Sequence, residues 1–200
     1  MATDNPDRMP DLAFRLMAAT MAVKDQLFPT LNKRIEGFSI QSGMTLVDYG
    51  CGPGRYTTQF AKILGDTGKV YAVDVHELAL AYVRRKMREQ GLRNIVPVLA
   101  SRYQTDIPDN VGDMIFALDM IFGVKEPVTL LGELHRICCQ EGVLIVDDGH
   151  QSRERTIQMI HQSDQWTIEQ ESRDHLRCVP VRNRSEPNLG TLPRPSAAQP

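Results

Sequence analysis

Two hundred residues are enough for one domain with a substantial core. Apolar residues at 42% and charged residues at 24% exclude a disordered or fibrous chain, and a formal net charge of −2 creates no global field that calls for nucleic acid. No apolar run is long enough to span a bilayer, and the opening residues carry acids and a proline rather than a basic, then apolar, leader, so a cytoplasmic protein is expected.

The four cysteines, Cys51, Cys138, Cys139 and Cys178, have no metal-ligand spacing, so no metal is expected and the thiols are read as reduced. Residues 1–10 hold two prolines and few apolar residues and are expected to be loose. From Asp11 the pattern is helical, with Leu12, Leu16 and Ala19 on one face and Phe14, Met17 and Met21 nearby. Pro29 interrupts, and a second helix runs to about Glu36 before the stop at Gly37. Residues 11–40 are thus a helical extension ahead of a core spanning 44–182.

Thr45-Leu46-Val47 reads as a buried strand that stops at Asp48, followed by a loop with Gly50, Gly52 and Gly54 and a helix from near Arg55. Strand, glycine loop and helix open a βαβ nucleotide-binding unit. Glycines let backbone N–H groups approach a ligand, and the helix start adds unpaired N–H groups and a partial positive charge. The dinucleotide fingerprint needs glycine at position 55, where Arg55 stands, which argues against a nicotinamide-linked oxidoreductase. The G-x-x-x-x-G-K-[ST] phosphate loop is absent as well. Asp48 would repel a pyrophosphate but suits a nucleoside with a cationic tail, a description that S-adenosylmethionine meets.

Val47-Asp48-Tyr49-Gly50-Cys51-Gly52-Pro53-Gly54 resembles the first motif of the class I S-adenosylmethionine-dependent methyltransferases. The resemblance covers about Leu12 to Val181. It implies an α/β fold: a three-layer Rossmann-like sandwich around a mostly parallel seven-stranded sheet of order 3-2-1-4-5-7-6. It also implies that the N-terminal helices lie over the cofactor, and that S-adenosylmethionine is bound and S-adenosylhomocysteine released.

The remaining elements follow in order. Thr57 to Leu64 is a helix ended by Gly65, and Val70 to Val73 is the second strand, ending at Asp74. A carboxylate there can accept the ribose hydroxyl protons, with Val75 beside the adenine. The helix from Glu77 to Gln90 places Leu78 and Tyr82 on one face, and its cluster Arg84, Arg85, Lys86 and Arg88 reads as a solvated face rather than an RNA contact. Ile95 to Leu99 is the third strand. The family's adenine-binding aspartate falls on Ser101, a departure that leaves a weaker hydroxyl partner, with Arg102 able to flank the ring.

Asp113 to Leu118 is the fourth strand, and Ala117, Leu118 and Asp119 come at its carboxyl end, where methyl donor and acceptor would meet. Asp119 is one candidate for orienting or deprotonating the acceptor. The Asn/Asp-Pro-Pro-Tyr/Phe motif of many amino-group methyltransferases is absent. A helix is expected from Pro127 to Cys139, a turn at Gln140-Glu141-Gly142 and a fifth strand from Val143 to Val146. His150, just beyond, is the second acid/base candidate because imidazole transfers protons near neutrality. A helix at 153–161 and a hairpin of Trp166–Glu169 with Leu176–Val179 complete the domain, and a disordered tail is expected from 183 onward.

Cofactor binding is therefore assigned to Asp48, Gly50, Cys51, Gly52, Gly54, Asp74, Val75, Ser101, Arg102 and Ala117. The acceptor is read as a small molecule, with no nucleic acid and no membrane span; the oligomeric state stays open. A non-catalytic protein that binds S-adenosylmethionine or a partner on the same fold is the alternative.

Overall fold

A computed structural model describes residues 7–27 and 31–181. Pro29, residues 1–6 and the tail from 182 lie outside the described residues. Seven strands form one sheet: β1 (Thr45–Tyr49), β2 (Lys69–Asp74), β3 (Ile95–Leu99), β4 (Gly112–Ala117), β5 (Cys138–Val146), β6 (Trp166–Glu171) and β7 (Leu176–Pro180). Their spatial order is 3-2-1-4-5-7-6, as the resemblance implied. β1 to β5 pair in parallel, and β7 runs antiparallel between β5 and β6.

The sheet carries helices on both faces, and the period-2 alternation of its strands shows why. Leu46, Val70, Ala72, Phe116 and Ile145 face Phe60, Leu64, Leu80 and Val83 of α3 (Thr57–Leu64) and α4 (Glu77–Gln90), together with Ile35 of α2 (Leu31–Glu36). Val47, Val73, Ile115, Leu144 and Val146 face Leu130, Leu134 and Ile137 of α5 (Pro127–Ile137) and Ile160 of α6 (Arg153–Gln162). Both sides of a parallel strand are buried this way, so its sequence reads as a continuous apolar run instead of an alternation.

Three local expectations change. In α1 (Asp11–Leu27), the face expected from Leu12 and Leu16 is exposed, at 69% and 61%. Phe14 and Ala18 are buried instead, packing with Met17 on Ala79, Leu78 and Tyr82 of α4. The helix carries apolar residues on two sides, so periodicity alone does not choose between them. The turn at Gln140-Glu141-Gly142 lies inside β5: Gly112 pairs with Cys138 and Met114 with Val143, so β5 bulges between the two pairs. Cys138 and Cys139 accordingly belong to a strand and not to the preceding helix. Gly142 is needed at the bulge because a Cβ there would lie 2.7 Å from both Cys138 Sγ and the Gly112 carbonyl.

Of the amino-terminal segment expected to be loose, Asp7 accepts a hydrogen bond from the Tyr103 hydroxyl and Met9 lines a cavity. Among the described residues no helix is long and apolar enough to cross a membrane.

Candidate active site

The glycine loop leaves β1 at its carboxyl end and is tied back to the sheet at once. Gly50 and Cys51 N–H groups both donate to the Val73 carbonyl of β2, at 2.8 and 2.9 Å. Gly50 has φ +76°, and a Cβ there would sit 2.8 Å from Met120 Cγ, so only glycine lets that side chain pack on the loop. Gly52, at φ +50°, differs: a Cβ would meet nothing within 4 Å, so the space beside its Cα is clear of other side chains and backbone.

Asp74 closes β2 and is almost wholly buried. Its two carboxylate oxygens accept from the backbone N–H of Gly52 at 2.9 Å and of His76 at 2.8 Å. Burial pushes its pKa up, and those backbone donors oppose the rise. One carboxylate therefore fixes the loop and the entry to α4 together, while its remaining lone pairs face a cavity of about 240 Å³. His76 caps α4 by accepting from Leu78 N–H at Nδ1, and its ring stacks 4.5 Å from Phe14. Burial, then Arg8, lowers its pKa, which keeps the ring neutral. Its Nε2 is buried, with Asp11 3.6 Å away.

The sequence candidates divide on where they stand. Gly50, Cys51, Gly52, Asp74, Val75 and Asp119 line this cavity. Asp48, Gly54 and Ala117 stand behind its wall. Asp48 is buried and accepts from the Thr57 hydroxyl at the start of α3, so it braces the loop from below. Burial, reinforced by the Asp74 charge, pushes its pKa up to about 7 against the Thr57 bond. A Cβ on Gly54 would come within 3.0 Å of Val83, so that glycine serves helix packing.

Ser101 and Arg102 are exposed and also lie off the cavity. Ser101 and Gln104 exchange two backbone hydrogen bonds, 2.9 and 3.0 Å, around a tight turn in which Arg102 takes φ +55°. That turn sends Tyr103 inward instead. Its hydroxyl meets Asp7 and the Glu126 N–H, and its carbonyl accepts from the Tyr49 hydroxyl. Tyr103 and Tyr49 both line the cavity, neither singled out by the sequence; a tyrosine two residues after the family's acid position was the available signal. In the basic cluster of α4, Arg85 pairs with Glu89 at 3.5 Å and lies over the Tyr82 ring, while Lys86 reaches the Gly54 carbonyl.

A second, wider cavity of about 890 Å³ opens beside the first. The two share Met17, Met21, Arg55, Tyr56, Asp119 and Phe122. Asp119 follows the end of β4 with φ +57°, unusual for a non-glycine residue, and its N–H donates to Asp147 at 2.9 Å. Asp147 in turn accepts from Arg34 of α2 at 2.7 Å. Arg34 also donates to the Tyr56 hydroxyl, which donates to Asp119 at 3.2 Å. Arg55 lies 3.5 Å from the same Asp119 oxygen. Burial and the Asp119 charge raise the Tyr56 pKa, so its hydroxyl stays a proton donor. Burial opposes the charge on Arg34, but Tyr56 and Asp147 more than offset it. A carboxylate with fixed donors thus stands at the seam between two cavities. His150 is exposed, edge-on to Phe122 at 4.7 Å, and lines only the wider cavity.

The features of the smaller cavity fit S-adenosylmethionine: clear space beside Gly52, an acid at the end of β2 and a buried imidazole ring. Among the described residues no group of three or more His, Cys, Asp or Glu is placed to hold a metal.

Comparisons with known proteins agree with this geometry. Demethylmenaquinone methyltransferase of Geobacillus stearothermophilus is 29% identical over 107 residues, 54% of this chain and 46% of that protein. The ubiquinone/menaquinone biosynthesis C-methyltransferase UbiE of Escherichia fergusonii is 31% identical over 113 residues, 56% of this chain and 45% of that protein. The chain spans about half the length of these relatives. Among solved structures, a SAM-dependent methyltransferase from Aquifex aeolicus superposes with a TM-score of 0.77 at 22% identity, covering 87% of this chain and all (100%) of that one. The [4+2]-cyclase SpnF superposes at 0.60 and 20% identity, covering 73% and 58%. At such identities the likeness shows the fold. A methyltransferase domain model matches residues 40–180, from the approach to β1 through β7, and on that match this chain belongs to the methyltransferase domain family.

Proposed function

We propose that the chain is an S-adenosylmethionine-dependent methyltransferase that acts on a small-molecule acceptor. The observation that carries this reading is the pair of cavities meeting at Asp119, one against the glycine loop and Asp74, the other open to solvent. The relatives, named as quinone-pathway methyltransferases, support a small-molecule acceptor. The four cysteines form no disulfide among the described residues, which fits a reducing cytoplasmic setting.

When bound, the cofactor supplies a methyl group on a sulfonium, a leaving group good enough that the protein mainly has to align the reactants. Asp74 would hold the ribose hydroxyls, and Val75, His76 and Tyr103 the nucleoside wall. The clear space beside Gly52 would take the cationic tail, with the Asp48 carboxylate beneath it. Ser101 and Arg102 would contribute through the turn that presents Tyr103. Phe14, Met17 and Met21 of α1 would cover the bound cofactor and exclude water, giving the 11–40 extension the role of a lid. Asp119 is the group best placed to orient an acceptor or take its proton, and its Tyr56 and Arg55 neighbours hold it at the seam. His150 could take up a proton only at the outer rim.

Calorimetric titration with S-adenosylmethionine and S-adenosylhomocysteine tests the reading. Both should bind the wild type, and Asp74→Ala should weaken them at least tenfold, since it removes the ribose acceptor and frees two backbone N–H groups. Failure of both compounds to bind the wild type overturns the proposal.

A further inference from the structure

The wider cavity has a charge pattern that bears on the acceptor. Each of its acids is ion-paired with an arginine: Asp147 at 2.7 Å and Asp174 at 3.5 Å share Arg34, Asp148 has Arg153 at 2.8 Å, and Asp119 has Arg55 at 3.5 Å. Three cations on the same lining have no carboxylate: Lys24, Lys33 and Arg173 form no ion pair among the described residues, and all are exposed. They come from three separate elements, the last turns of α1 and α2 and the β6–β7 connection. A lysine in the last turn of a helix is favoured by the helix dipole. That accounts for two of them one at a time, but not for their sharing one cavity lining with Arg173. The surplus is local, since the whole chain carries a net charge of −2. The same lining carries an apolar part formed by Met17, Met21, Leu31 and Phe122, with Phe122 38% exposed.

An apolar wall and unpaired cations on one cavity lining select an apolar body that ends in an anion. We infer that the acceptor is amphipathic and anionic, an aromatic or aliphatic body bearing a carboxylate or phosphate. Its anion rests on Lys24, Lys33 and Arg173, and its methylated atom lies at the Asp119 end. This rests on the methyltransferase reading of the same site and narrows its substrate class. Exposed ion pairs are individually weak, so the three cations together are worth about tenfold in affinity.

A matched pair of fluorescent probes tests it. Anilinonaphthalene sulfonate and N-phenyl-1-naphthylamine share an apolar body, and only the first carries an anion. With the full chain, the sulfonate should bind more tightly. Lys24→Gln, Lys33→Gln and Arg173→Gln combined should weaken it about tenfold and leave the amine unchanged. Added salt should weaken the sulfonate alone. 3-Phenylpropionate or phenyl phosphate should displace it where 3-phenylpropanol does not, and the stronger of the two anions identifies the head group. Equal binding of the two probes, displacement by the alcohol as good as by the anions, or no effect of the triple substitution overturns the inference. S-Adenosylhomocysteine titrated in parallel separates the two claims: anion selectivity without cofactor binding sinks the methyltransferase reading and leaves the anion site standing.

Discussion

Replacing Asp48 by Asn should stabilise the protein, and the gain should grow with pH. The carboxyl is fully buried beneath the glycine loop, with its pKa raised from 3.8 to about 7. A folded-state pKa above the unfolded value means the native state holds the proton more tightly. The associated stability is complete below about pH 4 and is lost as pH rises through 7. A pKa difference of one between folded and unfolded states corresponds to about 1.4 kcal/mol, so a rise of about three costs the wild type at most about 4 kcal/mol at pH 8. Asn keeps a carbonyl to accept from Thr57 and cannot ionise. In a domain of this size about 4 kcal/mol corresponds to roughly 8–16 °C in Tm. Thermal unfolding of both forms from pH 4.5 to 8.5 checks this, with the difference expected to be small at the acid end and to level off above 7. A difference that does not change with pH refutes the argument, because it would mean that Asp48 ionises with no penalty for its burial.

The same carboxyl should report on the ligand. A sulfonium bound above it favours the ionised form, so S-adenosylmethionine should release a proton near pH 7, seen as a binding enthalpy that depends on the buffer; S-adenosylhomocysteine, lacking the sulfonium, should release less. Tyr56→Phe removes the donor to Asp119 and the acceptor for Arg34, and should lower turnover about tenfold to hundredfold while S-adenosylhomocysteine affinity stays within about twofold. Gly50→Ala forces a Cβ to 2.8 Å from Met120 Cγ at φ +76°, which should lower Tm by several degrees; adding Met120→Ala should restore only the part due to the clash.

What could be read in the sequence was what short stretches determine by themselves. The run Thr45 to Gly54 carries its strand, its loop and its glycines within ten positions, and each glycine's need for a left-handed φ is local. The apolar strands were visible because burial on both faces leaves no alternation to misread. Where two local arrangements suited the same residues equally well, nothing nearby in the chain favoured either. α1 offers Leu12 and Leu16 on one side and Phe14 and Ala18 on another, and only the surface of α4 decides between them. Gln140-Glu141-Gly142 has turn composition, but β4 continues to pair on both sides of it and makes it a bulge.

The two halves of the candidate site differ in the same way. The proposed cofactor side depends on the loop at 50–54 and on Asp74, whose carboxylate reaches back to Gly52 within one βαβ unit, so a motif announces it. The proposed acceptor side is assembled from Arg34, Tyr56, Asp119 and Asp147, which come from α2, the start of α3 and the ends of β4 and β5. None of these contacts is implied by its neighbours in sequence. Asp119 could be suspected from its place after β4, but the residues that fix its carboxylate could not. Lys24, Lys33 and Arg173 are equally ordinary as surface residues and acquire a meaning only because the fold brings them to one cavity lining. A cofactor common to many enzymes can be held by a local motif, whereas an acceptor particular to one is recognised by whatever distant side chains the fold gathers, and that gathering is what three dimensions add.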